Sequence, residues 1–439
     1  MTFNDLLLGK PLQNALNDLE FIYPTEIQRQ SFPVILSGRD MVGVAQTGTG
    51  KTFAYLLPVL RQLSFSLQRN PRIIIIVPTR ELVVQVINET EKLTRYLSVR
   101  SLGVYGGVNM NTQKQIISAG TDIIAGTPGR IYDLAMTGIL RFSAIQKLII
   151  DEVDEMLNLG FRPQLEAIME TLPARRQNIC FSATLTETVE KVIMGHFANP
   201  EMIIVAPHGT PLGKIRLYGY HVPNYHTKIN LLKHLLQDAS VYEKVLVFVD
   251  SKKLADRLYE SIHPIFGEEA GVIHSNKAQN TRLSTIEKFQ QGTLRILIAT
   301  DIIARGLDFR EISHVINFDM PDEPGDFIHR VGRTGRAGKE GTALAFINEP
   351  EQQMQKKVEV LMQKELVIYD LPGDVEISKI FTPEERPRLY DKNYLGTPAR
   401  LTGGGAFHEK SAKNRQENSG SPALKRPKKK SQNRSGKKK

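Results

Sequence analysis

Short runs of Ile, Val and Leu alternate with longer amphipathic stretches through most of the chain. Met41–Val44, Ile73–Val77, Ile123–Ala125, Leu148–Ile150 and Ile179–Phe181 form a first series. Val245–Val249, Gly271–His274, Ile296–Ala299, Val315–Phe318 and Ala343–Ile347 form a second. Runs this short and this apolar suit strands buried on both faces. Helical segments between them supply crossover connections, so the pattern predicts parallel sheets covered by helices. Between the two series, Ala206-Pro-His-Gly-Thr-Pro-Leu-Gly213 is rich in Pro and Gly and suits a linker. The expected architecture is two α/β domains hinged near residue 210. A helical segment over Met1–Leu36 precedes them, with Leu6, Leu7, Leu8, Leu12, Leu16 and Leu19 at compatible spacing.

Charge is distributed unevenly. Of 57 Lys+Arg and 47 Asp+Glu, 16 and 3 respectively lie from Arg386 onward, so this tail carries +13 and the remainder −3. From Gly403 the chain is rich in Gly, Ser, Asn and Lys, with too little apolar surface to order itself. The tail is expected to be disordered, either a solvating appendage or a nonspecific RNA tether whose binding falls steeply with salt. Its run Lys425-Arg-Pro-Lys-Lys-Lys430 also resembles a nuclear localisation signal. The single cysteine, Cys180, excludes an internal disulfide and fits a reducing compartment. No signal-peptide pattern or membrane-length apolar run is visible, so a soluble, cytoplasmic protein is expected.

Two motifs carry chemistry without outside help. In Lys147-Leu-Ile-Ile-Asp-Glu-Val-Asp154, an apolar strand runs into acids. Ligands in open α/β sheets sit beyond the carboxyl ends of strands, so Asp151 is placed to hold a magnesium ion and Glu152 to orient or deprotonate a water. The alternative is a solvated acidic turn. Ala45-Gln-Thr-Gly-Thr-Gly-Lys-Thr52 follows one predicted strand and opens a predicted helix, the context of a phosphate-binding loop. There the backbone N–H groups of Ala45, Gln46, Thr47, Gly48, Thr49 and Gly50 close around phosphates. Lys51 reaches the β/γ oxygens, and the Thr52 hydroxyl can ligate magnesium. Ala45 stands where the strict pattern has Gly. With this loop present, the acidic strand is the metal-binding partner it requires, and the chain reads as an NTPase using ATP and Mg2+.

These motifs stand in a longer order: Pro24–Gln28, Ala45–Thr52, Pro78-Thr-Arg-Glu-Leu82, Thr127-Pro-Gly-Arg130, Asp151–Asp154, Ser182-Ala-Thr184, Ala299–Asp308 and His329–Arg336. The series resembles the DEAD-box ATP-dependent RNA helicases of superfamily 2, here with Asp-Glu-Val-Asp for the family's namesake tetrad. The short segment before Phe3 is similar to compact bacterial members such as the RhlE-like branch. The resemblance implies two RecA-like parallel-sheet domains joined by a flexible linker. The expected division is a Q-motif region (1–29), an ATP-binding domain (30–207), a linker (208–216), a C-terminal helicase domain (217–372) and a basic, largely disordered tail (373–439).

It also implies roles. Phe21, Thr25 and Gln28 would recognise adenine, and Asp308 the ribose. Arg333 and Arg336 would act as arginine fingers beside Lys51 and Glu152. Asp154, Ser182, Thr184 and His329 would couple nucleotide closure to RNA. Thr79, Arg80, Gly107, Thr127, Gly129, Arg130, Arg282, Thr300 and Asp301 would contact the RNA backbone, a task suited to amides, hydroxyls and arginines that do not read bases. Departures from the family are Glu20 for a usual Gly, Tyr23 for a common basic residue, Val153 for Ala, Asp250, and Ser275-Asn276 after His274. The implied function is RNA-stimulated ATP hydrolysis that unwinds short RNA duplexes or remodels RNA–protein complexes. Ribosome-assembly or RNA-decay proteins are possible partners. The alternatives are an RNA-binding clamp or scaffold with little turnover, and a DNA-directed superfamily 2 helicase.

Overall fold

The computed structural model describes residues 1–46, 48–205, 215–301, 309, 311–335, 340–382 and 385. Two seven-stranded sheets, parallel throughout, hold the strands of the two predicted series. In the first sheet the strands are β1 (Met41–Val44), β2 (Ile73–Ile76), β3 (Ser101–Val104), β4 (Ile123–Gly126), β5 (Lys147–Ile150), β6 (Gln177–Ser182) and β7 (Glu201–Ile204). They lie in the order β3-β4-β2-β5-β6-β1-β7. β2 is four isoleucines, all buried, because its side chains meet helices on both faces. β7 closes one edge and exposes Glu201, Met202 and Ile204.

The second sheet holds β8 (Ile215–His221), β9 (Val245–Phe248), β10 (Ala270–Ile273), β11 (Ile296–Ala299), β12 (His314–Asn317), β13 (Gly341–Ile347) and β14 (Val367–Tyr369). Their order is β10-β11-β9-β12-β13-β8-β14. Ile215 and Arg216, expected in the linker, open β8; the rest of that linker, 208–214, lies outside the described residues. At the other end the packing runs past residue 372. Val375 is buried, the Asn224 side chain donates to the Ser378 carbonyl at 2.6 Å, and the Ser378 amide donates to Thr227 Oγ1 at 3.0 Å. Residues 373–382, expected in the tail, therefore cover α10 (Tyr225–Leu236). The basic stretch from Arg386 lies outside the described residues. No helix among the described residues is long and apolar enough to cross a membrane.

The predicted N-terminal helix is broken in two. Helix α1 (Lys10–Asp18) carries Pro11 in its first turn and buries Leu12, Ala15 and Leu16 at i, i+3 and i+4, and α2 (Glu26–Leu36) follows. The break is a left-handed cap: the Phe21 amide returns to the Leu16 carbonyl at 3.0 Å and Glu20 takes φ +58°. That backbone is the region glycine enters freely, which gives a physical reason for the glycine expected at this position. Glu20→Gly is expected to stabilise the chain by about 0.5–1 kcal/mol, read as a shift of the urea midpoint. An unchanged or lower midpoint would show that the cap carries no strain.

Candidate nucleotide and nucleic-acid site

The order of the first sheet brings three loops together at its carboxyl edge. β1 lies beside β6, and β6 beside β5, so the phosphate-binding loop, the acidic tetrad and Ser182–Thr184 are neighbours despite their separation in sequence. The loop leaves β1 through Ala45, whose amide donates to the Ser182 carbonyl at 3.0 Å. Gly48 and Gly50 turn with φ +81° and +89°, and Thr49 Oγ1 bonds the Gln46 carbonyl at 2.7 Å. α3 (Lys51–Gln62) then starts directly on Lys51. Thr47 lies outside the described residues.

Three buried polar atoms without a hydrogen-bond partner belong to this corner: Lys51 Nζ, Asp151 Oδ1 and Tyr55 Oη. An unpaired ammonium beside an unpaired carboxylate oxygen is costly unless a ligand completes both. A nucleotide phosphate fits the first and a cation the second. Burial pushes the Asp151 carboxyl above its ordinary range, opposed by Lys51 and by the Tyr55 hydroxyl. Glu152 is raised to about 7, first by burial and by Asp151 and Asp154, against the pull of Lys51 and Arg333. A carboxylate that titrates near neutrality is matched to taking a proton from water. Glu152 also caps α7 (Val153–Asn158) from a left-handed backbone, φ +57° and ψ +51°, which aims it differently from its neighbours. Strain of this kind, of order 1–3 kcal/mol, is concentrated at functional positions.

Asp154 gathers the coupling residues. Its Oδ2 accepts from the Ala183 amide at 3.1 Å and from the Thr184 amide and hydroxyl at 2.9 Å each. Ser182, fully buried, turns its hydroxyl onto the Thr184 carbonyl at 2.6 Å. Asp154 therefore ties the acidic tetrad to the Ser182–Thr184 turn.

The adenine-side residues also make contacts within the protein. Gln28 Oε1 accepts from the Thr25 amide at 2.9 Å, while Nε2 donates to the Gly50 carbonyl at 3.0 Å. The amide is thus one half of a capping box and a strut under the phosphate loop. It keeps one donor and one acceptor site for a base. Phe21, 36% exposed, stands edge-on to Phe53 at 5.3 Å between centroids, leaving a face for stacking.

From the second domain, α13 (Pro324–Val331) carries His329 and delivers Arg333 just beyond its end. Arg333 is 2% exposed, its Nε donates to the His329 carbonyl at 3.3 Å, and its charge acts on Glu152. Arg336 and Asp308 lie outside the described residues.

The nucleic-acid residues divide into two groups. Thr79 caps α4 (Arg80–Leu93), and Thr127 precedes α6 (Pro128–Met136), which carries Gly129 and Arg130 in its first turn. Two helix N-termini make a surface suited to phosphates. Gly106 and Gly107 wrap the Arg80 guanidinium; Gly107 has φ +81°, and a methyl group there would strike the arginine. Arg130 is held by the Gln113 side chain and the Val108 carbonyl, each at 3.3 Å.

Arg282, Thr300 and Asp301 differ. Thr300 is buried, and the Asp301 carboxylate is held by both arms of Arg330 at 2.6 Å. Arg282, on α12 (Gln279–Gln290), is buried and pairs with Glu81 of the first domain at 3.1 Å. Gln279 joins them, donating to Glu81 at 3.2 Å and accepting from Arg282. Arg282 bridges the domains in this structure, where an RNA-backbone contact was expected.

The model of the DEAD/DEAH box helicase domain matches residues 25–192, and that of the helicase conserved C-terminal domain matches 227–338. The chain is 37% identical over 350 residues to the DEAD-box ATP-dependent RNA helicase CshA of Geobacillus kaustophilus, covering 80% of this chain and 74% of that one. The chain belongs to the DEAD-box helicases. CshA of Bacillus subtilis is 35% identical, with 83% and 73% covered. Among solved structures, S. cerevisiae Dbp5 bound to RNA and ADP BeF3 matches with a TM-score of 0.77 at 26% identity, over 84% of this chain and 96% of that one. A DEAD box protein from Methanococcus jannaschii matches with 0.51 at 32% identity, over 84% and 99%. This DEAD-box helicase has two cross-domain residues that motif reading passed over. Glu81 stood inside Pro78–Leu82 without a role, and Gln279 one turn before Arg282. Their partnership spans 198 residues, a distance that no local pattern reports.

Proposed function

We propose that this DEAD-box helicase hydrolyses ATP in an RNA-stimulated cycle in which closure of the two domains separates short RNA duplexes or remodels RNA–protein complexes. The observation that carries this reading is the ion pair between Glu81 of the first domain and Arg282 of the second at 3.1 Å, which Gln279 joins. A site divided in this way works only when the domains meet, and RNA lying across both favours that state. The match to the S. cerevisiae chain bound to RNA and ADP BeF3 supports RNA and a nucleotide as the ligands.

Lys51 holds the phosphates, Glu152 takes the proton from the attacking water, and Arg333 stabilises charge on the transferring phosphoryl group. Asp151 and the Thr52 hydroxyl would hold a magnesium ion shared with the nucleotide. One carboxylate and one hydroxyl are what such an ion takes from protein when phosphates supply further ligands. Among the described residues no group of three or more His, Cys, Asp and Glu forms a cage of its own, in keeping with that division. When bound, such an ion would supply positive charge against the phosphates. Thr79, Arg80, Gly107, Thr127, Gly129 and Arg130 contact the RNA backbone, and Asp154 carries closure to Ser182–Thr184.

Steady-state ATPase assays with and without RNA test this. Stimulation of at least about tenfold is expected, the scale on which binding of one ligand prepares a site for another. No stimulation by any of several unrelated RNAs would overturn the cycle.

A further inference from the structure

The loops 63–72, 137–146 and 172–176 lead into β2, β5 and β6, which are neighbours in a parallel sheet. They therefore meet at the amino edge of that sheet, opposite the nucleotide corner. Together they hold five arginines and no acidic residue. A cavity of about 500 Å³ opens among them, with Phe65, Arg72, Ile145, Pro173 and Arg175 in its wall. The first loop is held by its backbone: Arg72 Nη1 donates to the Ser64 carbonyl at 2.7 Å, Arg100 Nη2 to the Gln68 carbonyl at 2.6 Å, and the Thr121 amide to the Arg69 carbonyl at 3.1 Å. Arg72 and Arg100 share the one carboxylate of Asp122, at 2.9 Å each, so the group keeps a net positive charge. Arg72 is buried, and its Nε has no hydrogen-bond partner. On this fixed backbone Phe65 and Leu67 are 71% and 85% exposed. Apolar side chains held out in this way lose little conformational freedom when a partner covers them.

We propose that this edge is a docking surface for an acidic protein segment that bears a large apolar side chain. The apolar group packs on Phe65 and Leu67 at the mouth of the cavity, and the carboxylates beside it meet Arg69, Arg141 and Arg175, all exposed. Charge complementarity selects the partner: with no acid on the three loops, only the partner can supply the opposite sign. Apolar contact supplies the affinity that exposed charge pairs do not. RNA is also drawn to positive charge, but the chemistry here differs from a nucleic-acid track. One aromatic ring beside a leucine does not make a platform for successive bases. The residues assigned to the RNA backbone, Thr79, Arg80, Thr127 and Arg130, follow the carboxyl ends of β2 and β4, across the sheet. A partner docked at the amino edge leaves them uncovered.

The test selects short random peptides, displayed on phage, against the full chain. The double variant Phe65→Asp, Leu67→Asp serves for counter-selection, which removes ligands of the basic stretch from Arg386. Selected peptides are then titrated by fluorescence anisotropy against wild type, the double variant and Arg175→Glu. Enrichment of peptides in which Asp or Glu flank an aromatic or aliphatic residue is expected. Their Kd should rise at least about tenfold in each variant, the scale of one lost anchoring side chain. Thermal unfolding checks the fold; if the double variant melts early, Arg175→Glu, which alters only an exposed charge, decides. No enrichment overturns the proposal, as do selected peptides that lack acids or bind all three proteins alike. Weaker RNA binding by the variants would assign the surface to RNA. A dimer in sedimentation that the double variant dissociates would assign it to a second copy of the chain. Either result overturns the proposal.

Discussion

Replacing Glu152 with glutamine is expected to lower RNA-stimulated ATP turnover by about 10²–10⁴-fold, the contribution of a positioned general base, while ATP binding survives. Glutamine keeps the volume of the side chain, so the left-handed turn at φ +57° and the cap on α7 are retained. What is lost is the group that accepts a proton. Because the Glu152 carboxyl is raised to about 7, wild-type turnover should climb between about pH 6 and 8 as the carboxylate ionises, and the residual rate of the variant should lack that inflection. The same shift has a consequence for stability. The folded value lies above the ordinary 4.5, so this group's contribution is fully present below that value and is lost as pH rises through about 7. E152Q should remove that portion of the pH dependence. Rapid-quench hydrolysis assays and equilibrium ATP binding separate the two effects. Wild-type turnover in E152Q would take the proton-accepting role away from Glu152.

Arg333→Ala should lower the RNA-stimulated rate by about 10³-fold or more, as expected for an arginine finger, and leave ATP affinity within a few-fold. The guanidinium is 2% exposed and held on the His329 carbonyl, so its direction is set before the nucleotide arrives. In the proposed cycle it serves the first domain only once the domains close, which separates its effect on kcat from any effect on KM. The variant should still bind RNA, because Thr79, Arg80, Thr127 and Arg130 lie on other elements. A matching loss of ATP affinity would mean that Arg333 binds the ground state and does not act selectively in the transition state.

Local chemistry was readable because each motif carries its own physical reason. Gly48 and Gly50 are glycines because the loop turns through positive φ; Lys51 opens a helix because its loop delivers backbone N–H groups there. The expected Gly at the Glu20 position is explained by a left-handed cap, which the sequence registers as a departure without showing its geometry. Gln28 was read for its amide, and the structure adds the strut to the Gly50 carbonyl. Arg282 and Asp301 were expected, from the family resemblance, among the residues that contact the RNA backbone. Both are paired with oppositely charged protein groups, because the buried Arg282 and the buried Arg330 beside Asp301 are each stable only when paired.

Sequence alone determined the two sheets, the phosphate loop, the acidic strand end and the order of the family motifs. These follow from hydrophobic period and from residue types at short spacing, which are local quantities. Tertiary structure decided which residues meet across the chain: Asp154 with Thr184, and Glu81 with Arg282 and Gln279. Those partnerships depend on strand order and on closure between domains, and their energies come from burial that residue spacing does not encode.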